Sequence, residues 1–166
     1  MKLLALDPGL ARIGVATCDP LGLVARPLMI LERTSRRADF AKLADLMMAQ
    51  EAQAVICGLP VNMDGSESQN TRTTRKWATR LAYALRAILG EPKLIIFWDE
   101  RLTTFAAQQI LAAHGDRKTG EDAAAAAVIL QSYLDAQRRG GDVDDFGRIL
   151  LPARELPIDP VDEVSD

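Results

Sequence analysis

The sequence predicts an α/β fold built around one central sheet. Short and almost wholly apolar runs at residues 4–6, 54–58 and 94–98 alternate with longer segments in which apolar residues recur at helical spacing. Strands without a polar face are buried on both sides, as happens where helices cover both faces of a sheet. We therefore expect those three runs to form the interior strands and the helical segments to cover them.

The chain opens with a predicted β-hairpin, because two apolar runs within residues 4–17 flank the tight connection at Pro8-Gly9. A third strand-like run extends from Leu23 to Leu31. Pro27 within it favours a place at or near an edge of the sheet, since proline cannot donate a ladder hydrogen bond. The sheet is thus predicted to have five strands, in the element order β-β-β-α-β-α-β-α-α.

Four helices are predicted from capping residues and apolar periodicity. The first follows a Thr34-Ser35 N-cap, and the second ends at Gly90. The third closes at His114-Gly115, and the last begins with a capping-box-like arrangement at residues 119–122. Their approximate limits are 35–51, 68–89, 104–114 and 119–137.

The 166 residues are predicted to form one domain over residues 1–151 and an acidic, disordered tail over residues 152–166. Five acids and no base follow Arg154, so residues 1–154 hold 20 basic and 18 acidic side chains, a net charge of +2. This mildly basic body is compatible with a nucleic-acid partner. No apolar run could cross a bilayer and no cationic leader precedes the first strand, which predicts a cytoplasmic protein without a membrane partner.

Cysteine and histidine chemistry is disfavoured. Cys18 and Cys57 lie in apolar strand-like runs and lack the spacing of a zinc or redox site, so they are predicted to be free buried thiols. The single His114 lacks an evident nucleophile motif and is better explained as part of a helix end.

Three carboxylates stand where elements end or begin. Asp7 closes the first strand, Glu100 follows the last strand, and Asp122 lies in the first turn of the last helix. Ligand sites in open α/β sheets form beyond strand ends, where neighbouring loops converge. Three converging carboxylates suit Mg²⁺ or Mn²⁺, and two such ions about 3.5–4 Å apart could activate a water and stabilise the leaving oxygen of a phosphodiester.

Simpler interpretations of these acids stay open. The Asp7-Pro8-Gly9 segment could be no more than a turn, since all three residue types favour turns. Asp122 could merely complement the helix dipole. Against the second interpretation, Asp122 shares a helical stripe with Ala126 and Ile129 and should therefore face inward, where a carboxylate needs a partner.

The second helix carries a one-sided basic face, and no acid occurs between Ser68 and Gly90. Solvated helix faces usually mix both signs, because pairs four residues apart relieve repulsion. A face of unpaired bases therefore favours contact with phosphates. A merely soluble face is the alternative, since Arg and Lys are good helix formers. The predicted nucleic-acid-binding residues are Arg72, Arg75, Lys76 and Arg80.

Four sequence blocks, spread over residues 3–135, resemble the YqgF family, also called RuvX, whose members are described as Holliday-junction resolvases or pre-16S rRNA nucleases. The blocks are Asp7-x-Gly9-x-x-Arg12-Ile13-Gly14-Val15-Ala16, Gly58-Leu59-Pro60-x-x-Met63-Asp64-Gly65, Asp99-Glu100-Arg101-Leu102-Thr103-Thr104 and Asp122-x-x-Ala125-Ala126, the last leading to Ile129-Leu130-Gln131-Ser132-Tyr133-Leu134. Each block alone is weak, but their occurrence together and in order is specific.

The resemblance implies a ribonuclease-H-like fold, with a mixed five-stranded sheet and helices on both faces. It also implies divalent-metal-dependent cleavage of structured nucleic acid, with 5′-end maturation of 16S ribosomal RNA as the favoured role and resolution of branched DNA as the alternative. Asp7 would bridge two metal ions, and Glu100 and Asp122 would each complete one site. The protein is expected to be a monomer or a weak homodimer.

The acidic set differs at one position from that of many relatives of the fold. Relatives of the fold often carry a fourth acid one turn after the last one, but that position is Ala125 here. Glu121, Asp99 or a substrate phosphate would have to serve instead. Two other functions stay open: a nucleic-acid-binding module that does not cut, and an ATP-dependent enzyme. The Asp7-x-Gly9 hairpin also resembles the start of actin-like and sugar-kinase ATPases, although those need two such domains.

Overall fold

The computed structural model describes residues 1–101, 109, 120–140 and 146–154. Its strands are β1 (Leu3–Pro8), β2 (Arg12–Cys18), β3 (Ala25–Glu32), β4 (Ala54–Leu59), β5 (Leu94–Asp99) and β6 (Arg148–Ile149). Its helices are α1 (Arg36–Ala49), α2 (Gln69–Leu89) and α3 (Gly120–Arg138). The helix predicted at 104–114 lies outside the described residues apart from residue 109, and so do residues 155–166 of the predicted tail.

The six strands form one mixed sheet in the order β3-β2-β1-β4-β5-β6. The strands β1, β2 and β3 are antiparallel neighbours, while β4 pairs parallel with β1 and β5 pairs parallel with β4. The edge position of β3, predicted from Pro27, is confirmed. The α/β class with a mixed sheet is also confirmed.

The strand number was predicted wrongly, as five instead of six. The additional strand, β6, pairs antiparallel with β5 through Ile149 opposite Ile95. A two-residue strand is too short to show an alternation of apolar and polar side chains, so the sequence around Ile149 indicated only a short apolar segment.

Two hydrophobic cores cover the two faces of the sheet. Leu4 and Leu6 of β1 belong to the core beneath α1 and α2, and Leu3 and Ala5 belong to the core beneath α3. Successive side chains of a strand point to opposite faces, so β1 contributes to both cores. Helices on both faces are therefore confirmed.

The predicted helix ends are also confirmed where the structure describes them. The Ser35 hydroxyl accepts a hydrogen bond from the backbone N–H of Ala38 at 3.2 Å. Ser68 and Thr71 form a capping box at the start of α2, and Gly90 ends that helix with φ +79°. Cys18 and Cys57 are buried and free, as predicted. In the part of the chain that is described, every helix is too short or too polar to cross a membrane.

Candidate active site

The carboxyl ends of three parallel strands meet at one edge of the sheet and bring Asp7 and Glu100 together. In the register of these strands Leu6 lies opposite Cys57, and Gly58 lies opposite Trp98. Asp7, the next residue of β1, alternates onto the face covered by α3. Glu100 directly follows β5, and its side chain shares a hydrogen bond with that of Asp7.

Gly58 makes this contact sterically accessible. The strand β4 lies between β1 and β5, so about 10 Å of sheet separates the two strands that carry the acids. A Cβ atom added at Gly58 would lie 3.0 Å from Oε1 and 3.2 Å from Cγ of Glu100. Because Gly58 has no side chain, Glu100 can extend across β4 to reach Asp7.

The surroundings of Glu100 favour its protonated form. Burial, the hydrogen bond with Asp7 and the negative charge of Asp7 together raise the pKa of Glu100 to about 8. Two facing carboxylates are unfavourable when both are ionised, and a cation between them removes that penalty. Carboxylate oxygens are also the donors that hard divalent cations prefer, so the pair fits a Mg²⁺-like ion.

The raised pKa predicts a pH-dependent stability of the metal-free protein. The folded state holds a proton on Glu100 that the unfolded chain, with an ordinary pKa of 4.5, releases. The stabilisation is therefore complete below about pH 4.5 and is lost as the pH rises towards 8. We expect the Tm measured in chelator to fall between pH 5 and pH 8.5, and to fall less in a Glu100→Gln variant. Equal slopes in the two proteins would contradict the assignment.

Asp122 is only partly defined. Its backbone lies in the first turn of α3, and its side chain is outside the described part of the structure. The helix α3 packs on the face of the sheet that carries the carboxyl pair, and Cδ1 of Ile129 would lie 2.6 Å from a Cβ atom added at Gly58. Asp122 precedes Ile129 by two helical turns, about 10 Å along the axis. Its place in the site stays a prediction, and the described side chains include no group of three acids, cysteines or histidines that could hold a metal.

Asp99 is committed to another interaction. Its side chain is fully buried, and the guanidinium of Arg101 donates to it from Nε at 3.0 Å and from Nη2 at 2.7 Å. The Nη1 atom of Arg101 also donates to the backbone oxygen of Met63 at 2.7 Å. The pair ties the end of β5 to the loop after β4, so Asp99 is not available as the fourth acid.

Cys57 lies close to the acids but is chemically inert. Burial raises the pKa of the thiol, and the charges of Glu100 and Asp7 raise it further. A thiol that stays protonated is a poor nucleophile. The Cys57 thiol is therefore not a candidate nucleophile.

The four predicted basic residues occupy different surroundings. Arg75 is held within the fold: Nε donates to Glu67 at 2.5 Å, Nη1 donates to the backbone oxygen of Phe146 at 2.8 Å, and the guanidinium lies 5.0 Å from the centre of the Phe97 ring. Arg72 donates to Gln69 of its own helix at 3.1 Å. The ion pair of Arg75 could not be predicted from the basic face of α2, because Glu67 lies just before the helix.

Lys76 and Arg80 are more available. Both are exposed and line a cleft, and neither makes an ion pair or side-chain hydrogen bond with the described residues. Arg33 and Arg36, which the sequence did not single out, line the same cleft. They were missed because they precede or begin α1 and are remote in sequence from α2.

The sheet order and the two-sided helical cover define a ribonuclease-H-like α/β fold of the RuvC type. A structure of Thermus thermophilus RuvC in complex with a Holliday junction substrate matches with a TM-score of 0.59 and 14% identity, over 84% of this chain and 96% of that one. A second Thermus thermophilus RuvC structure matches with a TM-score of 0.51 and 15% identity, over 84% of this chain and 97% of that one. At such identities the likeness concerns the fold.

The chain belongs to the RuvX family, described as Holliday junction resolvase, whose model matches residues 1–136. A Myxococcus xanthus relative is 41% identical over 142 residues, which cover 83% of this chain and 90% of the relative. A Synechococcus elongatus relative is 39% identical over 139 residues, which cover 81% of this chain and 89% of the relative. Both carry the name "Putative pre-16S rRNA nuclease". The resemblance inferred from the four sequence blocks is confirmed.

Proposed function

We propose that this chain is a divalent-metal-dependent endonuclease that acts on structured RNA and matures the 5′ end of 16S ribosomal RNA. The observation that carries the proposal is the meeting of the Asp7 and Glu100 carboxyl groups across Gly58 at the carboxyl edge of the sheet. Membership of the RuvX family and the names of the relatives supply the nucleic-acid substrate.

Asp7, Glu100 and Asp122 would hold Mg²⁺ or Mn²⁺, in our proposal as two ions with Asp7 common to both. When bound, such ions make a water more acidic and stabilise negative charge on phosphodiester oxygens. The proton held by Glu100 must leave before a cation is held, because metal ligands act in the deprotonated form. Cation affinity should therefore rise with pH through the pKa of Glu100, about 8.

Basic side chains would hold the backbone of the substrate. Lys76 and Arg80 are exposed and lack ionic partners among the described residues, so phosphate groups can approach them. Such contacts are independent of sequence and weaken with salt. Substrate choice would then depend on the shape of the RNA.

Resolution of branched DNA is the second candidate. It is favoured by the family description and by the fold likeness to RuvC bound to a Holliday junction. Symmetrical resolution of a four-way junction needs two active sites, and hence a dimer.

One cleavage experiment separates these candidates. A 16S rRNA precursor with its 5′ extension and a four-way DNA junction are each incubated with Mg²⁺, Mn²⁺ or chelator. We expect metal-dependent cleavage of the RNA at or near the mature 5′ end and little cleavage of the junction. Cleavage of the junction alone would favour the DNA candidate. Binding of either substrate without cleavage in any metal would favour a binding module.

A Gly58→Ala substitution should impair cleavage with little loss of substrate binding. The added methyl group would lie 2.6 Å from Ile129 Cδ1 and 3.0 Å from Glu100 Oε1, so both side chains must shift and Glu100 is displaced from Asp7. We expect a rate roughly 100-fold lower, comparable to losing one charge-stabilising group. Single-turnover cleavage and fluorescence anisotropy of labelled RNA measure the two properties separately. A wild-type rate in a folded Gly58→Ala protein would show that Glu100 need not reach across β4.

A further inference from the structure

A cleft of about 320 Å³ lies on the α1 and α2 side of the sheet, beside the turn between β1 and β2. We call it the tryptophan cleft. Four cations, Arg33, Arg36, Lys76 and Arg80, contribute to its lining, and none of its lining residues is acidic. The four cations come from two separate parts of the sequence and form one concave basic surface.

Three of these cations are available to a ligand. Arg36, Lys76 and Arg80 form no ion pair or side-chain hydrogen bond with any described residue. Arg33 differs, because its Nη1 donates to the backbone oxygen of Gly9 at 2.5 Å and so fixes the turn that forms one wall. Like charges gathered in a concavity attract an anion and are repelled by one another without it.

Trp77 supplies the second observation. Its side chain lines the cleft and is 6% exposed, and its Nε1–H is the one buried side-chain donor in the described part of the chain without an acceptor. Buried indole N–H groups usually have a partner, because an unpaired donor loses its hydrogen bond to water. A ligand oxygen at the inner wall of the cleft would provide the acceptor.

The surroundings of Trp77 also indicate how a ligand would bind. The Arg33 guanidinium lies 5.7 Å from the centre of the Trp77 ring, and Phe40 lies 5.8 Å from it. With these groups packed against the ring, stacking of a base on Trp77 is disfavoured. The cleft can therefore recognise a ligand by hydrogen bonds to its oxygen atoms and by charge attraction. Both suit a phosphate group.

The cleft and the candidate active site lie on opposite faces of the sheet and are linked by the turn between β1 and β2. Pro8 and Gly9 line it, and they directly follow Asp7. Pro8 alternates to the face opposite that of Asp7, so the turn between β1 and β2 separates the two sites. Leu10 at this turn is 97% exposed and offers an apolar contact to a strand that passes over it.

We propose that the tryptophan cleft binds one nucleotide of the substrate strand at a position removed from the cleaved bond. Lys76, Arg80 and Arg36 hold its phosphate, and the Trp77 indole donates to an oxygen of the same nucleotide. This inference rests on the proposed nucleic-acid substrate but does not require cleavage. It separates the site that anchors the strand from the site that would cut it.

The test is a titration of the full chain followed by NMR of its tryptophan indole ¹⁵N–¹H groups, in chelator so that no cutting occurs. The chain has two tryptophans. The Trp98 indole donates to Ser132 at 3.1 Å in the other core and provides the internal reference, and Trp77→Phe assigns the signals. The ligands are a trinucleotide of RNA, a mononucleotide and inorganic phosphate.

We expect the trinucleotide to shift the Trp77 signal saturably and much more than the Trp98 signal. The double variant Lys76→Glu/Arg80→Glu should raise the half-saturating concentration at least tenfold. Arg26→Glu/Lys42→Glu, an equal charge change at two exposed positions outside the cleft, should alter it less than twofold. Trp77→Phe keeps an aromatic ring but removes the donor, and should weaken trinucleotide binding several-fold when binding is followed by anisotropy.

Three results would overturn the inference. One is a Trp77 signal that does not change when the trinucleotide is added, whether or not labelled RNA binds to the protein. Another is equal weakening by the control Arg26→Glu/Lys42→Glu and by the cleft variant Lys76→Glu/Arg80→Glu. The third is saturation by inorganic phosphate at concentrations no higher than the trinucleotide requires, which would define an independent anion site. The mononucleotide carries the whole unit that the cleft is proposed to hold, so it should shift the same Trp77 signal. Absence of cleavage in every metal would defeat the proposed nuclease function while a trinucleotide response at Trp77 still supported the cleft.

Discussion

Replacing Asp7 with asparagine is expected to lower the rate of RNA cleavage by roughly 10³-fold or more, as the loss of a principal catalytic group does. Asparagine has nearly the same shape but carries no charge, so it cannot serve as an anionic ligand common to two cations. The same change relieves the electrostatic repulsion that Asp7 exerts on Glu100. We therefore expect the Tm in chelator at pH 8 to stay the same or to rise.

These opposite effects on cleavage and stability distinguish a catalytic role from a role in folding. Single-turnover cleavage and thermal unfolding are measured on the same preparations. Asp45→Asn is the matched control, because Asp45 is an exposed residue of α1 on the other side of the sheet. Cleavage by Asp7→Asn at a rate near that of the Asp45→Asn protein would remove Asp7 from the proposed catalytic set.

Arg101→Ala should be the most destabilising of the substitutions considered. It leaves the carboxylate of Asp99, which is 1% exposed, without its guanidinium partner in the interior. Breaking a fully buried pair from one side costs about 3–5 kcal/mol. Because the Arg101 side chain is 32% exposed, water can replace part of the interaction, and we expect a loss of about 2 kcal/mol.

Urea denaturation measures this loss, and Arg12→Ala is the control. Arg12 forms an exposed ion pair with Glu32 at 3.4 Å, with both side chains more than half exposed, and such pairs contribute about 0–1 kcal/mol. The double variant Asp99→Asn/Arg101→Ala should recover part of the stability, since the buried charge is then gone. A loss no greater than that of Arg12→Ala would mean that the Asp99 pair is not a structural tie.

Much of the fold could be predicted from the sequence because its strands and helices have regular patterns. The apolar runs at 54–58 and 94–98 correspond to β4 and β5, and Ser68 and Gly90 bound α2 as expected. The strand β6 could not be predicted, because two residues show no periodicity. Its pairing with β5 depends on tertiary contacts alone.

The sequence singled out Asp7 and Glu100, whose side chains meet in the structure, but it did not indicate what surrounds them. A carboxylate at the end of a buried strand is costly, and this pointed to Asp7 before any geometry was known. Gly58 leaves the space through which the Glu100 side chain reaches Asp7. This depends on the register of the strands, which the sequence did not determine. Likewise, the stripe on α2 could not show that Arg75 contacts Glu67 and Phe97, or that Arg33 and Arg36 join Lys76 and Arg80.

The central claim is that acids from β1, from the end of β5 and from the start of α3 hold divalent cations together. Calorimetric titration of the full chain with Mn²⁺ tests it, using Asp7→Asn, Glu100→Gln and Asp122→Asn beside the control Asp45→Asn. We expect each of the three substitutions to weaken or abolish Mn²⁺ binding, and the control to bind like the unaltered protein. Unchanged affinity and stoichiometry in Asp122→Asn would contradict the claim, because the cation would then be held without the final helix.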